Sequence, residues 1–347
     1  MKLFSGTSNS EFSKLVADHL KCPLSKADIG CFSDGEVKLL IEDNVRGEDC
    51  FIIQPTSRSI CHEDAYRKCR SVNDNLMELF ILTDAIKRGS AKSVNLVIPY
   101  FGYQRQDRKD YSRAPISAAV VARFIETLNV NRVMIFDLHA GQISGFFSNN
   151  CPVDNLYAEP YFIKYIKKRD VEDLVFVAPD AGAMKTNYRV AQKFGVSTCS
   201  IFKNRTNGII DHMMLIGDVE NKNVIMIDDM IDTGGTICKA AGLLKEHGAK
   251  SIYIFVTHGL FSGKALENIE KSAIDKVVVT NTVPNDPAIF GESTKIDMID
   301  VSWMCAEAIT RLINGESISH LYADYEFFLK STTPSPDISP TSSLVLE

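Results

Sequence analysis

The sequence has no apolar stretch near the roughly 20 residues that a membrane-spanning helix needs. It also has no excess of basic residues, since 38 Lys and Arg against 44 Asp and Glu give a formal net charge of −6. No global positive field would therefore attract nucleic acid or an anionic membrane. The nine cysteines form no CxxC pair and the amino end shows no secretory leader, which predicts a cytoplasmic protein without disulfides. Any anionic ligand must be held locally.

Standard nucleotide-binding motifs are also missing. No GxGxxG occurs, and the segment Gly259–Lys264 is one residue too short for a Walker A loop. If the protein uses ATP, we expect another arrangement to bind it.

Short β-branched runs alternate with helical patterns along the chain. The predicted buried strands are Phe51–Ile53, Val94–Ile98, Val133–Phe136, Leu174–Val177, Val224–Ile227, Ile252–Val256 and Val277–Val279. The predicted helices are Asp74–Arg88, Pro115–Leu128, with proline at the first helical position, and Gly235–His247. This alternation predicts parallel sheets flanked by helices. The length of 347 residues favours two domains, which we place at 1–155 and 156–330.

Two segments stand outside this pattern. Ser57–Ser71 is rich in polar and charged residues, and we interpret it as a surface excursion. A zinc site at Cys61, His62, Glu63 and Cys69 is the alternative, but their spacing fits no standard four-ligand pattern and favours a plain loop. The end of the chain, 331–347, carries Ser, Thr and Pro without periodicity and is predicted to be disordered.

The most informative motif follows the predicted strand Val224–Ile227. Asp228 and Asp229 stand at the carboxyl end of that strand, where carboxylates in an α/β sheet face the ligand crevice and can accept hydrogen bonds from sugar hydroxyls. The segment Asp232-Thr233-Gly234-Gly235-Thr236 then predicts a tight loop whose N–H groups, hydroxyls and following helix start can hold a phosphate. Adjacent sugar and phosphate sites indicate a pocket for ribose 5-phosphate. The alternative is a simple acidic turn.

This stretch resembles the signature of type I phosphoribosyltransferases that binds 5-phosphoribosyl 1-diphosphate (PRPP). The rest of the chain resembles the phosphate-activated ribose-phosphate diphosphokinases, in the family's order. The segments that carry the resemblance are Phe32–Glu36, Asn44–Gly47, Asn73–Glu78, Ile98–Tyr103, Arg105–Arg108, Asp137–Ala140, Pro179–Gly182 and Asp228–Thr236. The resemblance implies two tandem phosphoribosyltransferase-like domains.

The implied reaction transfers the diphosphoryl group of ATP to the anomeric hydroxyl of ribose 5-phosphate, giving PRPP and AMP for nucleotide biosynthesis. The resemblance implies ATP binding by two segments, with the first lent by a neighbouring subunit. The candidate residues are Phe32, Asp34, Gly35 and Glu36, and Arg105, Gln106, Asp107 and Asp110. A shared site implies a dimer-based homo-oligomer, with a hexamer as the expected size. Without the resemblance, Gln104–Arg113 would be interpreted as a solvated charged loop.

The resemblance also implies magnesium as the cofactor, with His139 and Asp180 as ligands and Asp137 beside them. Histidine is an unusual partner for Mg²⁺, which prefers oxygen, so a structural His139 is the alternative. Lys203 and Arg205 match the catalytic loop, in a polar stretch, Asn204–Asp211, that we expect to be mobile. Arg205 is also a candidate ligand of ribose 5-phosphate. Closure of such a loop would bring two cations to the transition state.

Some positions depart from the family pattern. Gly182-Ala183 stands where the family usually has two glycines, and the excursion Ser57–Ser71 is longer than usual. Inorganic phosphate and ADP are candidate effectors, but Asn44 and Tyr322 differ from the usual residues in the regulatory regions.

Two other functions share parts of these motifs. One is a phosphoribosyltransferase that consumes PRPP, although such an enzyme has no use for the first domain's ATP-binding segments. The other is a non-catalytic regulatory subunit of the same fold. Against it, the chain retains His139, Asp180, Lys203, Arg205 and every acidic residue of the signature.

Overall fold

The structure is a computed structural model that describes residues 1–60, 69–206, 209–285 and 293–323, without the side chains at 60, 69, 204–206, 209–212 and 323. The strands in these ranges are β1 Lys2–Ser5, β2 Ala27–Cys31, β3 Val37–Ile41, β4 Asp49–Ile53, β5 Ser59–Ile60, β6 Cys69–Arg70, β7 Ser93–Ile98, β8 Arg132–Phe136, β9 Val153–Leu156, β10 Leu174–Ala178, β11 Thr198–Thr206, β12 Ile209–Ile216, β13 Asn223–Ile231, β14 Ser251–Gly259, β15 Lys276–Thr280 and β16 Ile296–Ile299. The helices are α1 Ser10–Leu20, α2 Val72–Arg88, α3 Ser117–Thr127, α4 Glu159–Lys168, α5 Met184–Phe194, α6 Gly235–Glu246, α7 Ala265–Lys271, α8 Ser302–Asn314 and α9 His320–Ala323, with a 3-10 helix at Gly141–Phe146.

The contacts divide the chain into two compact units. Among the described residues, the first contains 1–60, 69–157, 281–285 and 301–323, and the second contains 158–206, 209–280 and 293–300. The chain therefore returns to the first unit after the second sheet is built, whereas the sequence predicted two continuous domains. Within the described ranges, no helix is both long and apolar enough to cross a membrane.

The first unit is built on a parallel sheet in the order β1-β4-β7-β8-β9. Its central strands are buried, and Ile52, Leu96 and Ile135 pack against α2 and α3 side chains such as Leu79 and Ile125. The helix α2 begins at a capping box, in which Ser71 Oγ accepts from Asp74 N–H and the Asp74 carboxylate accepts from Ser71 N–H. A separate antiparallel hairpin, β2–β3, packs on this core.

The second unit has a sheet in the order β12-β11-β10-β13-β14-β15-β16, parallel except for β12. Alternate strand residues face opposite helical layers. Val224 and Met226 pack with Leu244 of α6 on one face, while Ile225 and Ile227 pack with Phe162 of α4 on the other. Burial on both faces explains the near-continuous apolar strands that the sequence shows.

All seven predicted strands and three predicted helices are present, and the α/β prediction is confirmed. Three local predictions were wrong. The helix expected from Pro115 begins at Ser117, because Ile116 has the non-helical backbone of the N-cap. Lys203 lies within β11 and not in a loop, since β11 pairs with β12 at the sheet edge, where one face tolerates polar side chains. The ends of the Ser57–Ser71 excursion are buried at Ser57, Ser59 and Arg70, while 61–68 and the predicted disordered tail lie outside the described residues.

Candidate functional site

In the second unit, two acidic loops leave neighbouring strands at the same edge of the sheet. Strands β10 and β13 are adjacent and parallel, and the chain runs from β10 outward to β11 before it returns to β13 on the other side. Such a reversal of strand order is where open α/β sheets bind ligands, at the carboxyl ends of the strands. Asp180 follows β10, and Asp228 and Asp229 lie near the end of β13. Three of the predicted site carboxylates are therefore brought together.

Burial and neighbouring negative charges both act on Asp228 in this cluster. Burial raises the pKa of Asp228 well above its usual value, and the negative charges of Asp229 and Asp180 raise it further. Among the described residues, Lys203 brings a positive charge to this cluster. Its Nζ lies 3.4 Å from Asp180 Oδ2, and its side chain is only 7% exposed. The structure thus places a buried lysine against a candidate metal ligand. The side chain of Arg205, the second predicted loop cation, lies outside the described part of the chain.

The loop after β13 has the features of an anion cradle. Gly234 has a φ of 72°, in the left-handed region that favours glycine, and it stands at the N-cap of α6. No side chain caps this helix start, so its first N–H groups are available to a phosphate. Two hydrogen bonds hold the backbone of this loop: Ser262 N–H donates to the Asp232 carbonyl, and Asn268 Nδ2 donates to the Thr233 carbonyl. Asp232, Thr233 and Gly234 form the loop, whereas Gly235 and Thr236, which the sequence placed in the same loop, are the first residues of α6.

In the first unit, the predicted adenine segment is the tip of the β2–β3 hairpin. Phe32 N–H donates to the Glu36 carbonyl, and Glu36 N–H donates to Asp34 Oδ1. Gly35 makes the reversal possible, because its φ is 95°. Phe32 is 52% exposed, and Asp34 and Glu36 are exposed too. The hairpin therefore presents an aromatic face and two carboxylates to solvent.

The second segment that the sequence predicts to bind ATP lies beside the His139 segment. Arg105, Gln106 and Asp107 are in the loop after β7, and His139 follows the adjacent parallel strand β8. Two contacts join the loops, since Gln104 Oε1 accepts from His139 N–H at 3.0 Å and Gln142 Nε2 donates to Asp107. Arg105, Gln106, Asp110 and His139 are exposed, and Arg108 pairs with Asp110 at 2.9 Å.

Three consecutive backbone N–H groups hold the segment that ends in His139. Asp137 N–H donates to the Leu156 carbonyl, Leu138 N–H to Asn155 Oδ1 and His139 N–H to Gln104 Oε1. Asp137 has a φ of 35°, an uncommon conformation for a residue with a side chain. The surrounding bonds therefore fix a strained turn in front of His139.

Three amide side chains that hydrogen-bond to the backbone of the site segments were not predicted from the sequence. They are Gln104 and Asn155, which hold the His139 segment, and Asn187, which holds Ile227 next to Asp228. Gln104 and Asn187 are fully buried. Gln104 directly precedes the Arg105-Gln106 pair, which is the only signal that could have indicated it. Among the described residues, no three His, Cys, Asp or Glu side chains form a ready metal cluster.

Comparisons with known proteins agree with this architecture. A family model described as the N-terminal domain of ribose phosphate pyrophosphokinase matches residues 1–128, and one described as a phosphoribosyl synthetase-associated domain matches residues 178–323. The ribose-phosphate pyrophosphokinase of Ralstonia nicotianae is 44% identical over 93% of this chain and 98% of its own. Ribose-phosphate pyrophosphokinase A of Dictyostelium discoideum is 43% identical over 93% and 98%.

A solved structure resembles the whole fold. The phosphoribosylpyrophosphate synthetase of Mycobacterium smegmatis has a TM-score of 0.81 and 34% identity, covering 90% of this chain and 99% of that one. The match assigns the two sheets to the phosphoribosyltransferase-like class of α/β proteins, as the sequence predicted. The chain belongs to the ribose-phosphate pyrophosphokinase family.

Proposed function

We propose that the protein is a ribose-phosphate diphosphokinase that forms PRPP and AMP from ATP and ribose 5-phosphate. One observation carries the proposal: almost the full length of the chain matches ribose-phosphate pyrophosphokinases at 44% identity. In this reaction the anomeric hydroxyl oxygen bonds to the β-phosphorus of ATP, the bond from that phosphorus to the α-phosphate oxygen breaks, and AMP leaves. The proton of the hydroxyl passes to a base or to water.

Ribose 5-phosphate would bind in the second unit, along β13 and its following loop. Asp228 and Asp229 would accept hydrogen bonds from the sugar hydroxyls, and the N–H groups and hydroxyls from Asp232 to Thr236 would hold the phosphate. The uncapped start of α6 supports this assignment, because its partial positive charge favours an anion. Arg205 would add a cation to the same ligand.

Magnesium fits the residues of the acidic cluster. The raised pKa of Asp228 reflects its burial first and then the negative charges of Asp229 and Asp180, and a divalent cation would offset both effects. Asp180 would hold the ion with His139, and Asp137 would orient that segment. A bound cation supplies charge neutralisation for the phosphates of ATP. Lys203 would act with it, because a buried ammonium 3.4 Å from Asp180 can neutralise charge that develops on the transferred group.

ATP would bind through Arg105, Gln106, Asp107 and Asp110. Phe32, Asp34, Gly35 and Glu36 would serve the adenine of a neighbouring subunit, which requires a homo-oligomer. The exposed Phe32 ring supports this, since an aromatic face in solvent suits stacking on a base. A cytoplasmic location and a response to phosphate and ADP belong to the same proposal.

Phosphorus NMR tests the reaction. The protein is mixed with ATP, ribose 5-phosphate, Mg²⁺ and inorganic phosphate, and we expect AMP and PRPP to appear together and only when ribose 5-phosphate is present. Formation of a nucleotide from PRPP and a base, without AMP from the first mixture, would favour a phosphoribosyltransferase. Inactivity in both mixtures would favour a regulatory subunit.

A further inference from the structure

Asn187 is a buried amide on α5 that touches both acidic segments of the second unit. Its Nδ2 donates to the carbonyls of Ala183, at 2.9 Å, and Ile227, at 2.7 Å. Its Oδ1 accepts from Ile227 N–H at 3.0 Å. Ile227 directly precedes Asp228, and Ala183 belongs to the turn whose N–H groups bind Asp180 Oδ1. One side chain therefore joins the backbone behind both sets of carboxylates.

The contacts to Ile227 continue the sheet where strand pairing stops. The register between β10 and β13 runs from Leu174 opposite Asn223 to Phe176 opposite Ile225. Two residues beyond Ile225, both backbone groups of Ile227 bond to the Asn187 carboxamide, which offers a donor and an acceptor as a peptide group does. β13 thus keeps a lateral partner although β10 has turned away toward Asp180.

The hydrogen bonds of Asn187 to the end of β13 are important because the nearby carboxylates repel one another. Asp180, Asp228 and Asp229 interact as like charges, and this repulsion favours separation of the two segments. Asn187 opposes separation from behind, through three hydrogen bonds to neutral backbone groups. The amide is fully buried, so these bonds form away from water.

We propose that Asn187 is a positioning residue for ribose 5-phosphate, which sets the spacing between Asp180 and the Asp228-Asp229 pair without contacting the ligand. The inference rests on the proposed function, in which ribose 5-phosphate binds at the site formed by Asp228, Asp229 and the following loop. It predicts that loss of the amide weakens ribose 5-phosphate binding more than loss of a comparable buried amide elsewhere on β13.

Asn223 provides the matched control. It lies at the other end of β13, is 7% exposed, donates through Nδ2 to the Glu172 carbonyl at 2.7 Å and accepts from Ser251 Oγ at 2.6 Å. Five residues of strand place it roughly 16 Å from Asp228. Asn187→Leu removes a buried amide that bonds to β13, and Asn223→Leu removes a buried amide that belongs to β13. Asn187→Asp keeps the acceptor for Ile227 N–H but loses the donor, and it serves as the second variant if Asn187→Leu does not fold.

The experiment is calorimetric titration of ribose 5-phosphate into each full-length protein with Mg²⁺ and without ATP, together with melting temperatures. We expect about a tenfold or greater rise in Kd for both Asn187 variants, about 1.4 kcal/mol for each factor of ten. Asn223→Leu should stay within about twofold of the unchanged protein, while the two Leu variants lose similar melting temperature because each leaves hydrogen-bond partners of the amide unsatisfied.

Equal Kd values for the Asn187 variants and the unchanged protein would overturn the inference, as would an equal weakening by Asn223→Leu. The unchanged protein distinguishes failure of the positioning role from failure of the proposed function. If it binds ribose 5-phosphate but forms no AMP, the proposed reaction fails and the positioning role is still decided by the Kd values. If it binds no ribose 5-phosphate, both fail.

Discussion

The buried ion pair between Arg70 and Glu78 should be a major determinant of the first unit's stability. Arg70 Nη1 lies 2.5 Å from Glu78 Oε2, and the two side chains are 1% and 0% exposed. Glu78 also accepts from Thr7 N–H, Thr7 Oγ1 and Gln54 Nε2. The pair therefore connects the β1–α1 loop, the end of β4, the base of the excursion and α2.

The expected effect of Arg70→Met follows from the charge left behind. Removing one partner of a buried pair leaves an uncompensated charge, which lowers the free energy of unfolding by about 3–5 kcal/mol. The three neutral donors that remain on Glu78 stabilise the anion in part, so we expect the lower end, about 3 kcal/mol. For a unit of this size, that corresponds to a melting temperature roughly 6–12 °C lower.

A double-mutant cycle separates the charge effect from lost packing. Glu78→Gln keeps the size and an acceptor oxygen, so in the Arg70→Met/Glu78→Gln protein no buried charge remains, and we expect about 2 kcal/mol or more of coupling. The control is Arg88→Met, which breaks a 2.7 Å pair with Asp84 on the same helix, with side chains 80% and 48% exposed. That change should alter stability by less than about 0.5 kcal/mol.

Urea unfolding followed by circular dichroism, with scanning fluorimetry in parallel, measures each protein. A loss of stability in Arg70→Met no greater than that in Arg88→Met would refute the reasoning, because burial then adds nothing to the pair. Absence of coupling in the cycle would refute it as well, because the loss then comes from packing alone.

Three further predictions concern the second unit. Lys203→Ala should lower kcat by about 10²-fold or more while the Kd for ATP changes less than about twofold, measured by phosphorus NMR and calorimetry, and unchanged turnover would remove Lys203 from the chemistry. Asp228→Asn should raise the melting temperature of the ligand-free protein at pH 7. Because folding raises the pKa of Asp228, its contribution to stability is complete below the unfolded pKa and is lost as the pH rises through the folded pKa. The higher melting temperature of the Asn variant should therefore vanish on acidification. Gly234→Ala should destabilise by about 1–2 kcal/mol in urea unfolding, since φ is 72° there, whereas Gly235→Ala, outside the left-handed region, should change little.

Much of the fold could be predicted from local pattern. The central strands of both sheets are largely apolar runs rich in β-branched residues, such as Val94–Ile98 and Val224–Ile227, and such strands are typical of sheets that helices cover on both faces. The β2–β3 hairpin was not predicted, since Ala27–Cys31 and Val37–Ile41 are short and half-buried. The polar sequence of β11 beyond Phe202 was interpreted as a loop, because antiparallel pairing with β12 is a tertiary contact that local composition does not show.

The packing of α8 with the first unit could not be predicted from the sequence either. Ser302–Asn314 follows the second sheet along the chain, yet it packs with the first unit, where α1 is its neighbour. An amphipathic pattern predicts that a helix buries one face, but it does not say which core receives that face. A boundary drawn at a single point, near 155, cannot describe such a discontinuous unit.

The side chains that position the candidate site were the least predictable part, and a physical reason connects them. Charged residues gathered for one ligand repel or compete with one another, so they cannot fix their own spacing. Neutral amides can, because each offers a donor and an acceptor to the backbone without adding charge. Gln104 and Asn155 hold the N–H groups of His139 and Leu138, and Asn187 holds both backbone groups of Ile227. Asn and Gln are mostly exposed in proteins, so no sequence pattern distinguishes the few that are buried. Only the fold shows that amides hold the His139 segment and the segments that carry Asp180 and Asp228, and substitutions at these positions should therefore change ligand affinity without touching a ligand.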